Sequence, residues 1–469
     1  MLPQATRITR TWSATALCLV VLLLTARPAP GQSRHQWWHK AWQYRKLVRA
    51  PDKAGGPYRV WLYTGDRARP DGGDIRVIDP TGKSVPCTIL YSTPESKHLL
   101  VFAKGNVPEN KEGEEEGGDT ARQPNVYSIY FGNPNAPPLP GWNPRAGLTL
   151  QTRAIPEDAD LSSWQEAEKT LRRAKTVYGM GFWGHLFDAY NPFGPQSDYL
   201  SIYDGYFNCP KEGTYRFAVI SEDPSFLSID GQALVQWPPQ AQDADTRRGQ
   251  HGKPKELAAG VHHLRYVAFA RGGPKRCAVY WVQPGAQLKP VTEGGPMGYQ
   301  YAPMPGNVFG GVAGVQVAYC QSIRNPVCAD FDVRAISYLE SGSARMVAVQ
   351  FTSKSTVMQG ALRGYGWQFG DGQTADMANP IHVFLSPGTY EVKLALASTT
   401  GQKDVFTVNL EVEPIRHDLN FTRAKKDSFW KWTKDYGAEK LPTEHLLAFQ
   451  QFLREEEKRE KDTPQNPGT

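Results

Sequence analysis

The segment Trp367-Gln-Phe-Gly-Asp-Gly-Gln373 narrows the choice of fold more than any other stretch of the chain. An aromatic-flanked Gly-Asp-Gly demands a tight turn, because glycine tolerates positive φ and the aspartate carboxylate bonds backbone amides two residues on. The run Gly388-Thr-Tyr-Glu-Val-Lys-Leu394 follows, with Pro380-Ile-His-Val-Phe384 between. Tyr390, Val392 and Leu394 take one side and Glu391 and Lys393 the other, the period-two pattern of a half-buried strand. Together these segments predict one small β-sandwich, in which Trp367, Gly370, Asp371 and Gly372 form a structural turn. Asp371 is read as a carboxylate that holds the turn, ahead of a ligand role.

Residues 329–414, which carry these motifs, resemble a polycystic kidney disease (PKD) domain. The resemblance implies an immunoglobulin-like module of exported proteins, usually a non-catalytic spacer or binding unit.

The same logic extends outward. Gly and Pro supply 81 of 469 residues, and short β-type runs recur between their turns, which predicts an all-β chain of tandem β-sandwiches with little helix. A chain this long suggests roughly three domains of about 100 to 200 residues. One amphipathic helix is expected over Ser162 to Ala174, and a short C-terminal one after Pro442, where Thr443 caps an apolar stripe of Leu446, Leu447, Phe449, Phe452 and Leu453.

The start of the chain reads as an export signal, residues 1–31. Arg7 and Arg10 precede the apolar run Ala14 to Leu24, and Ala29-Pro-Gly31 offers small residues for cleavage. That run is shorter than the ~20 residues needed to span a bilayer, so no membrane span is expected after cleavage. The segment holds three arginines and no acid, so its removal lowers the formal charge from +6 to +3. A nearly balanced surface without a basic helix gives no reason to expect a nucleic-acid partner. The expected location is secreted, periplasmic or cell-surface. In an oxidising compartment disulfides are favoured. Cys320 and Cys328, which enclose a short loop, are the first choice, Cys209 and Cys277 the second, and Cys87 is left as a buried thiol.

Expected boundaries are an N-terminal sandwich over 32–146, closed by the proline-rich stretch Pro134 to Arg145; a second sandwich over 147–286; a linker with a disulfide loop over 287–328; the third sandwich over 329–414; and a helical and disordered tail over 415–469. The acidic run Glu109 to Asp119 reads as a solvated loop.

In the first sandwich, Trp42-Gln-Tyr-Arg-Lys46, Gly73-Asp-Ile-Arg-Val77, Asp79-Pro-Thr-Gly82 and Val126-Tyr-Ser-Ile-Tyr-Phe-Gly-Asn-Pro134 occur in order. They resemble a jelly-roll-like domain of unknown function found near the N-terminus of exported bacterial proteins, which implies no catalytic residue. In the second, Gly213-Thr-Tyr-Arg-Phe217, Ser221-Glu-Asp223, Ile229-Asp-Gly231, Ala259-Gly-Val-His262 and Tyr280-Trp281 appear in sequence. This region resembles the protective-antigen lectin-like module (PA-14). In sugar-binding members two consecutive aspartates hold a calcium ion that in turn holds vicinal sugar hydroxyls. The resemblance implies calcium as cofactor, Asp223 as its ligand, and Glu222 in the position of the first aspartate, with Asp230 as a further ligand-binding candidate. Turn chemistry offers a competing reading, in which Glu222 and Asp223 bond amides and Asp230 caps the Asp-Gly hairpin. Trp183, Phe193, Tyr199, Tyr206 and Trp237 are either sugar-stacking or core residues, with core favoured for each. His262 and His263 are adjacent on a strand and face opposite sides, so they cannot share a metal.

Enzyme templates fail. There is no Gly-x-Ser-x-Gly elbow, no His-Glu-x-x-His and no phosphate-binding loop. The chain therefore reads as a non-catalytic exported modular protein whose partner is a glycan or a cell-surface protein. A structural component of envelope assembly, or an accessory subunit of a polysaccharide-degrading system, are the other readings.

Overall fold

A computed structural model of the protein describes residues 37–51, 54–94, 96–107, 125–237, 253–273, 275–286, 302–341, 344–412 and 422–423. The expected export signal, the acidic run and the C-terminal helix lie outside the described residues. Within them the chain is mostly β-strand, arranged as three sandwiches.

The first sandwich packs two sheets. One has the order Gln316–Ser322, Tyr44–Arg49, Val126–Phe131, Arg76–Ile78, Ser84–Val85; the other has Ala313–Gly314, Tyr58–Tyr63, Lys97–Phe102, Cys87–Ser92. Val48, Tyr58, Leu62, Val77, Leu100, Phe102, Tyr127 and Ile129 fill the space between them. Two of these strands correct the expected linker over 287–328. Gln316–Ser322 lies antiparallel to Tyr44–Arg49, with Lys46 opposite Cys320, and Ala313–Gly314 pairs in parallel with Tyr58 and Arg59. Val315, Val317 and Cys320 are buried while Gln316 and Ala318 are exposed, so a strand pattern was present beneath the glycine-rich composition. The second sandwich is thereby inserted into the first, which is completed only after it.

The second sandwich sets a six-stranded sheet, Gln232–Trp237, Ser225–Ile229, Gly260–Ala270, Tyr199–Cys209, Leu148–Ala154, Val177–Trp183, against a smaller one, Phe187–Asp188, Cys277–Val282, Gly213–Ser221, Lys253–Leu257. Tyr203, Phe207, Tyr215, Phe217, Tyr266 and Trp281 form its core. The helix Trp164–Arg173 is capped by Ser163, whose hydroxyl accepts the Glu166 amide at 3.3 Å. Its apolar side, Ala167 and Leu171, covers Leu200, Ile202, Phe226 and Val267 on the outer face of the six-stranded sheet. The Tyr199–Cys209 strand is therefore buried on both sides at Leu200–Tyr203.

The third sandwich pairs Ile381–Phe384, Ala344–Ser353 and Phe331–Ser341 in one sheet and Thr374–Ala375, Leu362–Gln368, Gly388–Ser398 and Lys403–Val412 in the other. Trp367 is 1% exposed at its centre, against Phe331, Phe351 and Phe369. In the turn after it, Gly370 and Gly372 have φ of +86° and +91°. Asp371 accepts the Gln373 amide through Oδ1 at 3.0 Å, and its Oδ2 lies 2.7 Å from His382 Nε2.

The five described cysteines carry no disulfide, and the expected Cys209–Cys277 pairing is corrected by their separation. Cys320 and Cys328 do meet, sulfur to sulfur at 3.0 Å, in a fully buried contact where the first and third sandwiches join. Cys209 and Cys277 sit toward different ends of the second sandwich. Cys277 lies 3.7 Å from the Tyr203 hydroxyl, and Tyr203 is six residues from Cys209 along its strand. That is about 20 Å of strand, whereas a bridge needs Cα atoms within ~7 Å.

Candidate carbohydrate site

The site is built on three neighbouring strands of the second sandwich. Asp188 lies opposite Cys277, and Cys277 lies opposite Ser221, so the segment His185 to Tyr190, the turn Ser221 to Pro224 and the loop Arg271 to Arg276 share one end of the smaller sheet. Asp188 anchors that end. Its buried carboxylate accepts from Trp183 Nε1 at 2.9 Å and from the Tyr203 hydroxyl, and it lies 3.5 Å from His185 Nε2. The bond to Asp188 raises the His185 pKa. Asp188 being held inward, its neighbour Phe187 points outward by strand alternation and is 51% exposed; Tyr190 is 47% exposed. Phe187 is opposite Ala278, which is opposite Ile220. Two strand spacings put Phe187 about 10 Å from Ile220, two residues before Glu222.

The predicted acids are placed as follows. The Glu222 amide donates to the Arg276 carbonyl at 3.3 Å, and its exposed carboxylate lies 3.8 Å from Arg276 Nε. Asp223 Oδ2 accepts the Arg271 amide at 2.7 Å, while its carbonyl accepts from Ser221 Oγ at 2.6 Å. Asp230 is not brought to them. The five-residue strand Ser225–Ile229, about 17 Å long, separates it from the turn. There, at φ +51°, Asp230 accepts the His263 amide through Oδ1 at 2.9 Å and places Oδ2 2.7 Å from His262 Nδ1. His262 and His263 diverge as alternation requires. His263 turns to Asp204 at 3.1 Å, which raises its pKa.

Calcium takes six to eight oxygen ligands. Here the turn offers the Glu222 carboxylate beside an arginine and an Asp223 carboxylate with one oxygen already on a backbone amide. No group of three or more His, Cys, Asp or Glu able to hold a metal occurs among the described residues. Of the oxygens such an ion needs, the turn thus supplies two carboxylates, each already engaged with an arginine or a backbone amide.

Of the five aromatics singled out from sequence, Trp183, Phe193 and Tyr199 are buried in the sandwich. Tyr206 is half-buried, bonded by Asn143 Nδ2 at 2.6 Å and ringed by His263, and Trp237 packs on the core margin. The outward-facing pair, Phe187 and Tyr190, was missed. Phe187 sits on a two-residue strand and Tyr190 in the bend after it, too short a stretch to show a period in sequence, and the inward hydrogen bonding of Asp188 shows which side Phe187 takes.

Residues 187–294 match the family model of the PA14 domain, and residues 340–413 match that of the PKD domain. Collagenase ColA of Bacillus cereus is 38% identical over 69 residues, which is 14% of this chain; the chain spans only 7% of that relative's length. Among solved structures, the PKD1 domain of the Vibrio cholerae metalloprotease PrtV is 26% identical, covering 18% of this chain and 94% of that one with a TM-score of 0.15. A PA14 sugar-binding domain from an RTX adhesin is 13% identical, covering 35% and 99% with a TM-score of 0.25. Both domain types are typically non-catalytic binding or spacer modules. The chain is a multidomain protein that resembles PKD-containing proteins, with a PA14 domain inserted into its first sandwich and a PKD domain following it.

Proposed function

We propose that the protein is an exported, non-catalytic binding protein that takes a carbohydrate at the Phe187 end of its PA14 domain, without calcium, and uses its PKD domain as a spacer. The observation that carries this reading is the outward exposure of Phe187 and Tyr190 beside a polar rim of Glu222 and Arg276. Sugar rings present apolar C–H faces that pack on aromatic rings, while their hydroxyls need donors and acceptors at the edge, and the site supplies both. Among the described residues no helix is long and apolar enough to cross a membrane.

The test is a glycan array with the full chain, in excess calcium and in chelator, followed by titration of the best ligand against Phe187→Ala and Tyr190→Ala. Each substitution is expected to weaken binding about tenfold, equivalent to ~1.4 kcal/mol, with no change on chelation. Binding that survives both substitutions, or that vanishes in chelator, would overturn the site as drawn. No glycan bound in either condition would remove the carbohydrate reading altogether.

A further inference from the structure

Lys46 and Asp330 are both fully buried where the first sandwich meets the third. Lys46 Nζ lies 2.9 Å from Asp330 Oδ1 and also donates to the Tyr63 carbonyl at 2.7 Å. Asp330 Oδ2 is buried and has no hydrogen-bond partner among the described atoms. The Phe406 ring stands 5.6 Å from the nitrogen, and the Cys320 and Cys328 thiols add to the apolar enclosure. A second acid, Asp332, follows at the start of the strand Phe331–Ser341. Strand alternation puts it on the same side as Asp330, and its charge bears on both Lys46 and Asp330.

An ion pair in this position is an unfavourable end state. Both charges have lost their water, and one carboxylate oxygen has gained nothing in return. An amide between the two side chains would remove both charges. Its N–H would keep the bond to the Tyr63 carbonyl, and the unpartnered atom would be a neutral carbonyl oxygen.

We propose that Lys46 Nζ and Asp330 Cγ become joined by an isopeptide bond, a covalent tie between the first sandwich and the PKD domain. The reaction is a condensation and needs no oxidant, reductant or cofactor. Within the pair a proton must pass from the ammonium to the carboxylate. Burial pushes Asp330 up to about 6 and opposes the Lys46 charge, but the facing Asp330 carboxylate outweighs this and holds Lys46 above its usual value, so the transfer is uphill and the reaction slow. The neutral amine attacks Cγ and the C–N bond forms. Asp332 takes the surplus proton from nitrogen and returns it to the departing hydroxyl, the C–O bond breaks, and one water leaves. Asp332 borders a groove with Tyr63, Lys97, Val317 and Lys354, through which that water exits.

The test is tryptic mapping of the purified full chain after thiol reduction, which excludes any cysteine link. The expected product is a branched peptide, residues 46–49 with Lys46 uncut joined to residues 325–334, about 18 Da lighter than the two together. Recovery of the two peptides only as separate species, with trypsin cutting after Lys46, would overturn the proposal and needs no variant that might misfold. Asp332→Asn is expected to leave the two peptides separate in a folded protein. A branched peptide formed at the wild-type rate in that variant would overturn the role given to Asp332.

Discussion

His98 lies on the strand Lys97–Phe102 at 0% exposure, with Nδ1 2.8 Å from Ser92 Oγ and Nε2 3.0 Å from Thr64 Oγ1. Loss of hydration penalises the charged imidazolium and pushes the pKa from 6.5 to about 4. The folded value is below the unfolded one, so the unfolded chain binds the proton more readily. The stabilisation is complete above about pH 6.5 and is lost as pH falls toward 4, amounting to about 3 kcal/mol over that window. Unfolding followed by tryptophan fluorescence at pH 7 and pH 4.5 should show His98→Gln losing markedly less stability than the wild type between the two conditions. An equal loss in both proteins would show that His98 does not titrate with folding. Nothing in the sequence around His98 foretold this. A strand pattern places a residue on a face, but only the packing of the opposite sheet decides whether that face is closed to water.

The Trp367 to Gln373 turn is the element where sequence and structure agree most closely, because its constraints are local. Both glycines have the positive φ that an aromatic-flanked Gly-Asp-Gly suggests, and the Asp371 bond to Gln373 spans two residues. The two glycines nevertheless differ in what surrounds them. A Cβ on Gly370 would stand 2.8 Å from the Glu391 amide nitrogen, whereas one on Gly372 would meet open space. Gly372→Ala should therefore carry only the backbone penalty, about 1 kcal/mol, while Gly370→Ala adds a clash with backbone that cannot move aside and should cost about 3 kcal/mol or more. Denaturant midpoints of the two variants, compared at constant slope, check the ordering, and equal midpoints would contradict it. The short strand carrying Phe187 is the opposite case. Its conformation follows from Asp188 reaching Trp183 and Tyr203, and no local pattern encodes those contacts.

At the scale of the whole molecule, three sandwiches were legible from their turns and alternating strands, but their connectivity was not. Gln316–Ser322 pairs with Tyr44–Arg49 across more than 260 residues of chain, and period-two burial says which face a strand shows without naming its neighbour. The join between the first and third sandwiches was equally hidden: beside the Lys46–Asp330 contact it draws on Arg67, whose burial no local pattern encodes. Arg67 is almost fully buried: its guanidinium donates to the Ala329 carbonyl at 2.8 Å and to the Val405 carbonyl and the Asp404 carboxylate at 2.9 Å, between the rings of Tyr44 and Phe406. Asp404 in turn accepts the Ala329 amide at 2.7 Å, so this second ion pair at the join ties a one-turn helix of the first sandwich to both the entry and the last hairpin of the third. Removing one partner of such a pair leaves a buried charge unmatched and typically costs 3–5 kcal/mol. In Arg67→Ala the lost ring contacts add to this, while Asp404→Asn keeps the shape and an acceptor for the Ala329 amide. Scanning calorimetry should show the first and third sandwiches melting together in the wild type, and separating into two transitions in Arg67→Ala, with Asp404→Asn intermediate. A single unshifted transition in Arg67→Ala would mean that the two sandwiches are held by other contacts, and the clamp would then contribute orientation without coupling their stability.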